Sequence, residues 1–418
     1  MSAVENGRVP APAVVLVDAL LNGSPFKRAC DDMGFPVVGV YTIEPSRLAE
    51  LSPTHAAGDA VSLYGDRPDL DAVAEQIAAI VPATEPAVYG AAVLAGERGL
   101  PSNPLATAQA CRDKYTMREL AAGSGVRVPS YRLVSGKDEM CAAIREIGVP
   151  TIVKPTSGAG SHNVFLVREE RDMERIAAAD RRDLFGGQIS EWLVEEYVRG
   201  REFAVNMFSA DGEHILIDVW EYYQPDSRDY DNPYWQIAQL DRESPVHRQA
   251  EQFARQVLAA FDVRIGPSHV EMKLGRDGMV LMEIGARLPG GGIPEMWERT
   301  SRLRPYHDTL AAYLGRRPEL VDSPPEFTDR LGICFIRNEG PAGVLRLDGV
   351  DEVRRLPGVL DVSVNFRTGD HVQTTRDLGT ELVKLKLAAP TTADLARLAT
   401  QIRATIVVDV QPVERAFS

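Results

Sequence analysis

Two glutamates, Glu271 and Glu283, lie in short runs of alternating apolar and polar residues that predict the two strands of a β-hairpin. Keeping both apolar faces on one side predicts a three-residue turn that ends at Gly278, and this register sets the two carboxylates directly opposite each other. Acids whose Cβ atoms are roughly 5 Å apart repel unless a proton or a cation lies between them. The predicted apolar face consists of Val270, Met272, Leu274, Val280, Met282 and Ile284.

Such a pair of oxygen ligands on rigid strands suits Mg²⁺, which takes one or two carboxylates and completes its shell with phosphate and water. Arg287 follows on the face of Glu283, where its charge would hold an anion beside the metal. The run from Pro289 to Gly292 then lets the backbone approach a ligand closely. A solvated hairpin with two unrelated glutamates is the alternative interpretation of these residues.

A second candidate site is the loop over residues 155–163, which lies between two predicted strands, T-I-V-K and V-F-L-V. Its backbone N–H groups and the hydroxyls of Ser157 and Ser161 can fold over phosphates, and Lys154 would add a fixed positive charge. The loop lacks the G-x-x-x-x-G-K-[ST] pattern of a P-loop, so an ordinary hairpin turn is the alternative. Lys114, on a helix predicted over 104–122, is on local grounds a surface lysine.

Composition limits the class of protein. The 418 residues are enough for two to four domains, and the net charge of −14 argues against nucleic acid or an anionic membrane as the main partner. No apolar run reaches the ~20 residues of a membrane span, and the N-terminus lacks a signal peptide, so a cytoplasmic location is expected. The four cysteines show no C-x-x-C spacing, and we expect reduced, mostly buried thiols.

The order of the predicted elements indicates an α/β protein followed by a small α+β domain. A Rossmann-type parallel layer comes first, and it lacks the G-x-G-x-x-G of a dinucleotide site. The elements predicted for this layer are strands over 13–19, 37–43 and 87–93 and helices over 25–33 and 70–80.

The second half of the chain is predicted to be rich in strands. The tyrosine-rich segment 222–245 is either a substrate lid or a packed crossover, and the prolines after Gly315 mark a domain boundary. Residues 328–418 alternate strands and helices and contain no set of residues to which we assign chemistry. The other predicted elements are strands over 193–197, 198–208 and 214–220 and helices over 169–185 and 251–261.

The order and spacing of these motifs resemble the ATP-grasp superfamily across about residues 105–315, and within it the L-amino-acid (dipeptide) ligases. The resemblance implies a Rossmann-like N-terminal domain over 1–110, an ATP-grasp small lobe over 111–187, a large lobe over 188–320 and the small α+β C-terminal domain over 328–418. The motifs that carry it are D-K-Y-T-M-R (113–118), T-I-V-K-P-T-S-G-A-G-S (151–161), V-E-E-Y-V-R-G-R-E-F (194–203), H-V-E-M-K (269–273) and M-E-I-G-A-R-L-P-G-G (282–291).

The resemblance also implies a role for each matching residue. The nucleotide would be ATP, held with two Mg²⁺ ions, which Mn²⁺ can replace. Glu271 and Glu283 would hold the metal, and Arg287 would bind the carboxylate or acyl-phosphate oxygens. Gly285 stands where many relatives have Asn, which leaves the second ion in doubt. The residues implied for ATP are Lys114, Lys154, Ser157, Gly158, Ser161, Glu195, Glu196, Val198 and Glu202.

The implied reaction is the ATP-dependent joining of a carboxylate and an amine, through an acyl phosphate, into an amide between amino acids or related small acids. The substrate side would include Gly291, Gly292 and His269, with Gly291 leaving room for a donor larger than alanine. His269 is a candidate base, with a structural histidine as the alternative. A homodimer is common among such enzymes. Two other functions stay open: an ATP-grasp ligase that uses a non-amino-acid amine, as in nucleotide biosynthesis, and a nucleotide-binding module without turnover.

Overall fold

A four-stranded parallel sheet with the order β3-β2-β1-β4 forms the N-terminal layer. The computed structural model describes residues 8–9, 12–158, 160, 162–177, 181–223 and 234–412. The layer consists of β1 (Ala13–Val17), a 3-10 turn (Leu21–Gly23), α1 (Pro25–Asp32), β2 (Val37–Tyr41), α2 (Pro45–Leu51), β3 (Val61–Tyr64), α3 (Leu70–Val73), β4 (Ile77–Pro82) and α4 (Ala87–Gly96).

Two elements of this layer were predicted wrongly. The helix expected over 70–80 ends at Val73, and the buried edge strand β4 follows it. The strand expected over 87–93 is the helix α4, which buries residues on most of its circumference. A short, continuously apolar run fits a buried strand and a buried helix equally well, because neither shows polar alternation.

A small antiparallel sheet with the order β5-β8-β6-β7 follows. The helix predicted over 104–122 is two helices, broken before Asp113. Within 169–185, the described residues form a 3-10 turn (Glu170–Asp172) and one helix (Met173–Ala177), and those from 181 to 185 are not helical. The elements are α5 (Leu105–Ala110), α6 (Lys114–Gly123), β5 (Tyr131–Val134), α7 (Lys137–Ile147), β6 (Thr151–Pro155), β7 (Phe165–Val167), a 3-10 turn (Glu170–Asp172), α8 (Met173–Ala177) and β8 (Trp192–Glu196).

The centre of the molecule is an eight-stranded antiparallel sheet with the order β13-β12-β9-β10-β11-β14-β18-β16. One end of the sheet packs on the long helix α9, whose Ala254, Val257 and Leu258 are buried. Its elements and those around it are β9 (Arg201–Ala210), β10 (Glu213–Tyr223), β11 (Gln236–Gln239), α9 (Pro245–Ala260), β12 (Gly266–Gly275), β13 (Gly278–Gly285), α10 (Ile293–Thr300), α11 (Pro305–Tyr313) and α12 (Glu319–Asp322).

The chain after the proline-rich linker adds strands to this same sheet. β14 pairs with β11, with Ile333 opposite Ile237, and β18 and β16 extend the sheet outward. A separate three-stranded sheet has the order β17-β15-β19. The elements are β14 (Arg330–Ile336), β15 (Gly343–Asp348), α13 (Val350–Val353), β16 (Val359–Val364), β17 (His371–Val372), β18 (Val383–Ala389), α14 (Thr392–Thr405) and β19 (Val407–Gln411).

Part of the aromatic segment 222–245 is structured: β10 continues to Tyr223, and residues 236–239 form β11. Residues 224–233, the middle of the segment interpreted as a substrate lid or a packed crossover, lie outside the described residues. None of the described helices combines the length and the hydropathy that a membrane crossing requires.

The β12–β13 hairpin confirms the predicted pairing of Glu271 with Glu283, but its turn and its strand pairing differ from the prediction. The turn has two residues rather than three, since Gly275 pairs with Gly278. Between the pairs Met272–Leu281 and Glu271–Glu283, β13 has one extra residue, Met282, which forms a bulge. This extra residue brings Glu283 back opposite Glu271. The bulge also changes the faces: Leu281 is fully buried, whereas Met282 turns to the cavity described below, so the prediction that Met282 packs on the apolar face is wrong.

Candidate active site

A cavity of about 460 Å³ lies where the parallel layer, the small sheet and the central sheet meet. Most residues proposed from the sequence line it, although they come from distant parts of the chain. Ser161 lies outside the described residues, and Gly292 borders Lys386 rather than the cavity. The proposed residues on the cavity wall are Lys114, Lys154, Ser157, Gly158, Glu195, Glu196, Val198, Glu202, His269, Glu271, Glu283, Arg287 and Gly291.

The paired acids of the hairpin both face this cavity. Glu283 Oε1 lies 3.2 Å from the Lys114 ammonium, and Glu271 Oε1 lies 3.2 Å from Nε2 of His269. Burial would raise the pKa of Glu271, but the hydrogen bond and charge of His269, with Arg287 and Lys114 nearby, hold it below the ordinary value. Glu271 therefore presents ionised oxygen ligands, with the Glu283 carboxylate opposite it.

The donor set fits a divalent cation shared with a ligand. Within the described residues, no three His, Cys, Asp or Glu side chains converge on one point, so the protein supplies no closed metal cage. Two adjacent carboxylates with an open side match the coordination of Mg²⁺, which keeps several positions for phosphate and water.

Lys114 owes its position to the start of α6. Asp113 caps this helix, with its Oδ1 accepting from the Thr116 N–H at 2.7 Å. The Lys114 N–H donates to Thr156 O, and its ammonium donates to Gly158 O at 3.2 Å as well as to Glu283. The lysine therefore joins the glycine-containing loop to the acid pair.

Lys154 projects from the end of β6 onto a buried carboxylate. Glu195 accepts from Lys154 at 2.6 Å through Oε2 and from Arg118 at 2.6 Å through Oε1. Burial would raise the pKa of Glu195, but these two cations lower it to about 2. Both carboxylate oxygens of Glu195 are engaged, so its side chain holds Lys154 and Arg118 in position.

Arg118 was not identified as a site residue, although it ends the motif D-K-Y-T-M-R. It is fully buried and also donates to the carbonyl of Met282 at 2.8 Å, so it connects α6 to the bulge of β13.

Lys273 is a second residue of the site that was not identified from the sequence. Its ammonium lies 3.2 Å from Oε2 of Glu202, whose Oε1 accepts from Tyr234 at 2.7 Å.

Arg287 is held by an acid that sequence reasoning missed. Its Nε donates to Glu85 Oε2 at 2.6 Å, and Glu85 follows the carboxyl end of the parallel strand β4. Polar residues at such strand ends are frequent ligand contacts, and the signal was lost because β4 was predicted as helix. A Cβ on Gly285 would lie 3.0 Å from Glu85 Oε2 and 3.3 Å from Arg287 Cζ. The glycine that departs from the expected Asn therefore leaves room for this ion pair.

His269 lies between Asn206 and Glu271. Asn206 donates through Nδ2 to the Asp218 carboxylate at 2.7 Å, which turns its Oδ1 toward His269 Nδ1, also at 2.7 Å. The other ring nitrogen, Nε2, lies 3.2 Å from Glu271 Oε1 and 3.3 Å from the Tyr222 hydroxyl. These contacts of His269 hold the Glu271 side chain in position.

The C-terminal part of the chain also reaches the cavity. Leu378, Glu381 and Lys384 line it, next to Ile333 and Phe335 of β14. Sequence reasoning assigned no chemistry to this part, because nothing in the local pattern around β18 indicates which residues turn toward a site formed by the other layers.

Comparison with known proteins identifies two domains in the chain. The ATP-grasp domain family matches residues 147–295, and L-amino acid ligase C-terminal domain 2 matches residues 335–411. The chain is 25% identical over 313 residues to an L-arginine-specific L-amino acid ligase of Bacillus subtilis, which covers 73% of this chain and 74% of that protein.

Solved structures agree on the fold. The crystal structure of an L-amino acid ligase from Bacillus licheniformis matches 96% of this chain and 99% of its own, with a TM-score of 0.75 and 16% identity. N5-carboxyaminoimidazole synthetase from Staphylococcus aureus, solved with ADP, matches 96% of this chain and 100% of its own, with a TM-score of 0.66 and 13% identity. The mixed α/β architecture with an ATP-grasp fold, expected from the sequence, is confirmed.

Proposed function

We propose that this chain, an ATP-grasp enzyme of the carbon–nitrogen ligase type, joins the carboxylate of one amino acid or related small acid to the amine of a second. ATP would be converted to ADP and phosphate. The observation that carries the proposal is the convergence of Glu271 and Glu283 with Lys114, Lys154 and Arg287 on one cavity.

The reaction has two steps. A carboxylate oxygen attacks the γ-phosphorus, the bond to the β,γ-bridging oxygen breaks, and ADP leaves with that electron pair. The amine nitrogen then attacks the acyl carbon, the carbon–oxygen bond to phosphate breaks, and the nitrogen loses its proton. Such transfers depend on positioning and charge neutralisation rather than on a covalent nucleophile of the protein.

The position of each residue on the cavity wall indicates whether it binds phosphate, carboxylate or metal. Lys114 and Lys154, with the loop of Ser157 and Gly158, face the phosphates, and Arg287 holds the carboxylate that is activated. Glu271 and Glu283 would hold Mg²⁺, or Mn²⁺ in its place, and the metal would neutralise phosphate charge. We propose that two ions bind at this site.

The nucleoside lies farther along the cavity. Backbone groups of the segment from Glu195 to Val198, with the side chain of Glu196, meet the adenine edge. Glu202, which pairs with Lys273, accepts from the ribose hydroxyls. Closing of the cavity would protect an acyl phosphate from hydrolysis.

The experiment is a phosphate-release screen over all pairs of amino acids with ATP and Mg²⁺, followed by mass spectrometry of the products. Release that requires two amino acids, with one amide formed for each ADP, supports the proposal. We expect donors larger than alanine to be accepted, because Gly291 adds no side chain to the cavity wall, where a Cβ would lie 3.3 Å from Ile333 Cδ1. Release that requires a non-amino-acid amine, or ATP binding without any release, would contradict the proposal.

A further inference from the structure

Glu381 is a buried carboxylate on the cavity wall, just before β18. The residue is 4% exposed, and its Oε2 has no hydrogen-bond partner among the residues that the structure describes. Burying a charged group without a partner is unfavourable, so an acid kept in this condition calls for a reason other than stability of the empty protein.

Four other acids of the wall each have a lysine or arginine partner. Lys114, Lys154, Lys273 and Arg287 neutralise Glu283, Glu195, Glu202 and Glu85 in turn, all within 3.2 Å. Glu381 has no ion pair of this kind in the described part of the chain. Burial raises its pKa to about 7, with Lys384 acting to lower it and Asp377 to raise it further.

The surroundings of Glu381 are largely apolar. Ile333, Phe335 and Leu378 line the same end of the cavity, and Lys384 is the neighbouring charge. Where apolar walls exclude water, a carboxylate attracts a cation more strongly than it does at a surface. The wall therefore has an anionic position that a cationic ligand group would complete.

We propose that Glu381 binds a positively charged nitrogen of the amine-bearing amino acid, so that the C-terminal part of the chain supplies the cation site of the cavity. The inference rests on the proposed function for the identity of the substrate as an amino acid. Its geometric support, a buried acid on the wall with one oxygen that has no hydrogen-bond partner among the described residues, is independent of the phosphate chemistry. The nitrogen is either the α-ammonium group or a cationic side chain, and the two are separated by experiment.

The test is calorimetric binding of two matched pairs, L-lysine with L-norleucine and L-arginine with L-citrulline, to the full chain loaded with Mg²⁺ and a non-hydrolysable ATP analogue. We expect Glu381→Gln to weaken binding by about tenfold or more, as expected for loss of a charged partner. Weakening of all four ligands would identify the α-ammonium group. Weakening of lysine and arginine alone would identify the side chain.

Two results would overturn the inference: equal affinities in the wild type and the variant, or no binding of any of the four amino acids to the wild type. Because binding is measured without turnover, these results are distinct from a failure to form ADP. Glu352→Gln, an exposed acid of the same part of the chain, is the matched control and should leave all affinities unchanged. Glu381→Gln should also keep or raise the thermal midpoint, whereas a purely structural acid would lower it.

Discussion

At the scale of single residues, three lysines and Arg287 on the cavity wall are paired with nearby glutamates. The ion pairs of Glu195 with Lys154 and Glu85 with Arg287 hold cations that would otherwise repel one another in a confined space. Each cation keeps a fixed position before a polyanionic ligand arrives, so little reorganisation is needed when it binds. Glu195 is the most buried of these anchors and makes the clearest prediction.

Replacing Glu195 with Gln should lower the free energy of unfolding by about 3 kcal/mol at pH 7, since Arg118 and Lys154 would lose their counter-ion. The pKa of Glu195 is lowered from 4.5 to about 2 in the folded protein. Its stabilising contribution is therefore complete above pH 4.5 and is lost as the pH falls toward 2. Urea denaturation at pH 7 and pH 3.5 measures this dependence.

The matched control is Glu146→Gln, whose pair with Arg132 is exposed to solvent and should contribute little to stability. A difference between wild type and Glu195→Gln that stayed the same at both pH values would show that the carboxylate does not have the lowered pKa.

At the scale of elements, a bulge and a helix start place the site. The bulge on β13 sets Glu283 opposite Glu271 and turns Met282 into the cavity, and the cap at Asp113 fixes where α6 begins. Lys114 is the first residue of that helix, so its ammonium depends on the cap for its direction.

Asp113→Ala should remove this cap, cost about 1 kcal/mol of stability and raise the KM for ATP about fivefold through displacement of Lys114. Steady-state kinetics with varied ATP, together with thermal denaturation, measures both effects. Thr391→Ala removes the cap of α14 and is the matched control. It should cost similar stability and leave the KM for ATP unchanged; an equal rise in both variants would refute the link between the cap and the lysine.

How much of these elements the sequence could predict depends on how far apart along the chain the interacting residues lie. Alternation around Glu271 and Glu283 is local, and it was enough to pair them. The bulge was not predictable, because one extra residue in a strand leaves no mark in the pattern. The partners of Arg287 and Arg118 are 202 and 77 residues away along the chain, so only the assembled fold shows them.

At the scale of the whole molecule, the site is shared among all parts of the chain. The parallel layer supplies Glu85, the small sheet supplies Lys154, and the central sheet supplies the acid pair. Strands that follow the linker extend the central sheet without a break, so the predicted boundary at 320–328 crosses a continuous sheet. The sequence shows a linker there because prolines interrupt the chain, while the pairing of β11 with β14 has no local signature.

The most direct test of the whole account is the rate of ADP formation after Glu271→Gln or Glu283→Gln, with Mg²⁺, ATP and the amino acid pair that the screen identifies. The exposed Glu352→Gln is the control. We expect either site substitution to lower the rate by at least about a hundredfold, because each removes a carboxylate that would hold the metal. ADP formation at the wild-type rate in either variant would contradict the account.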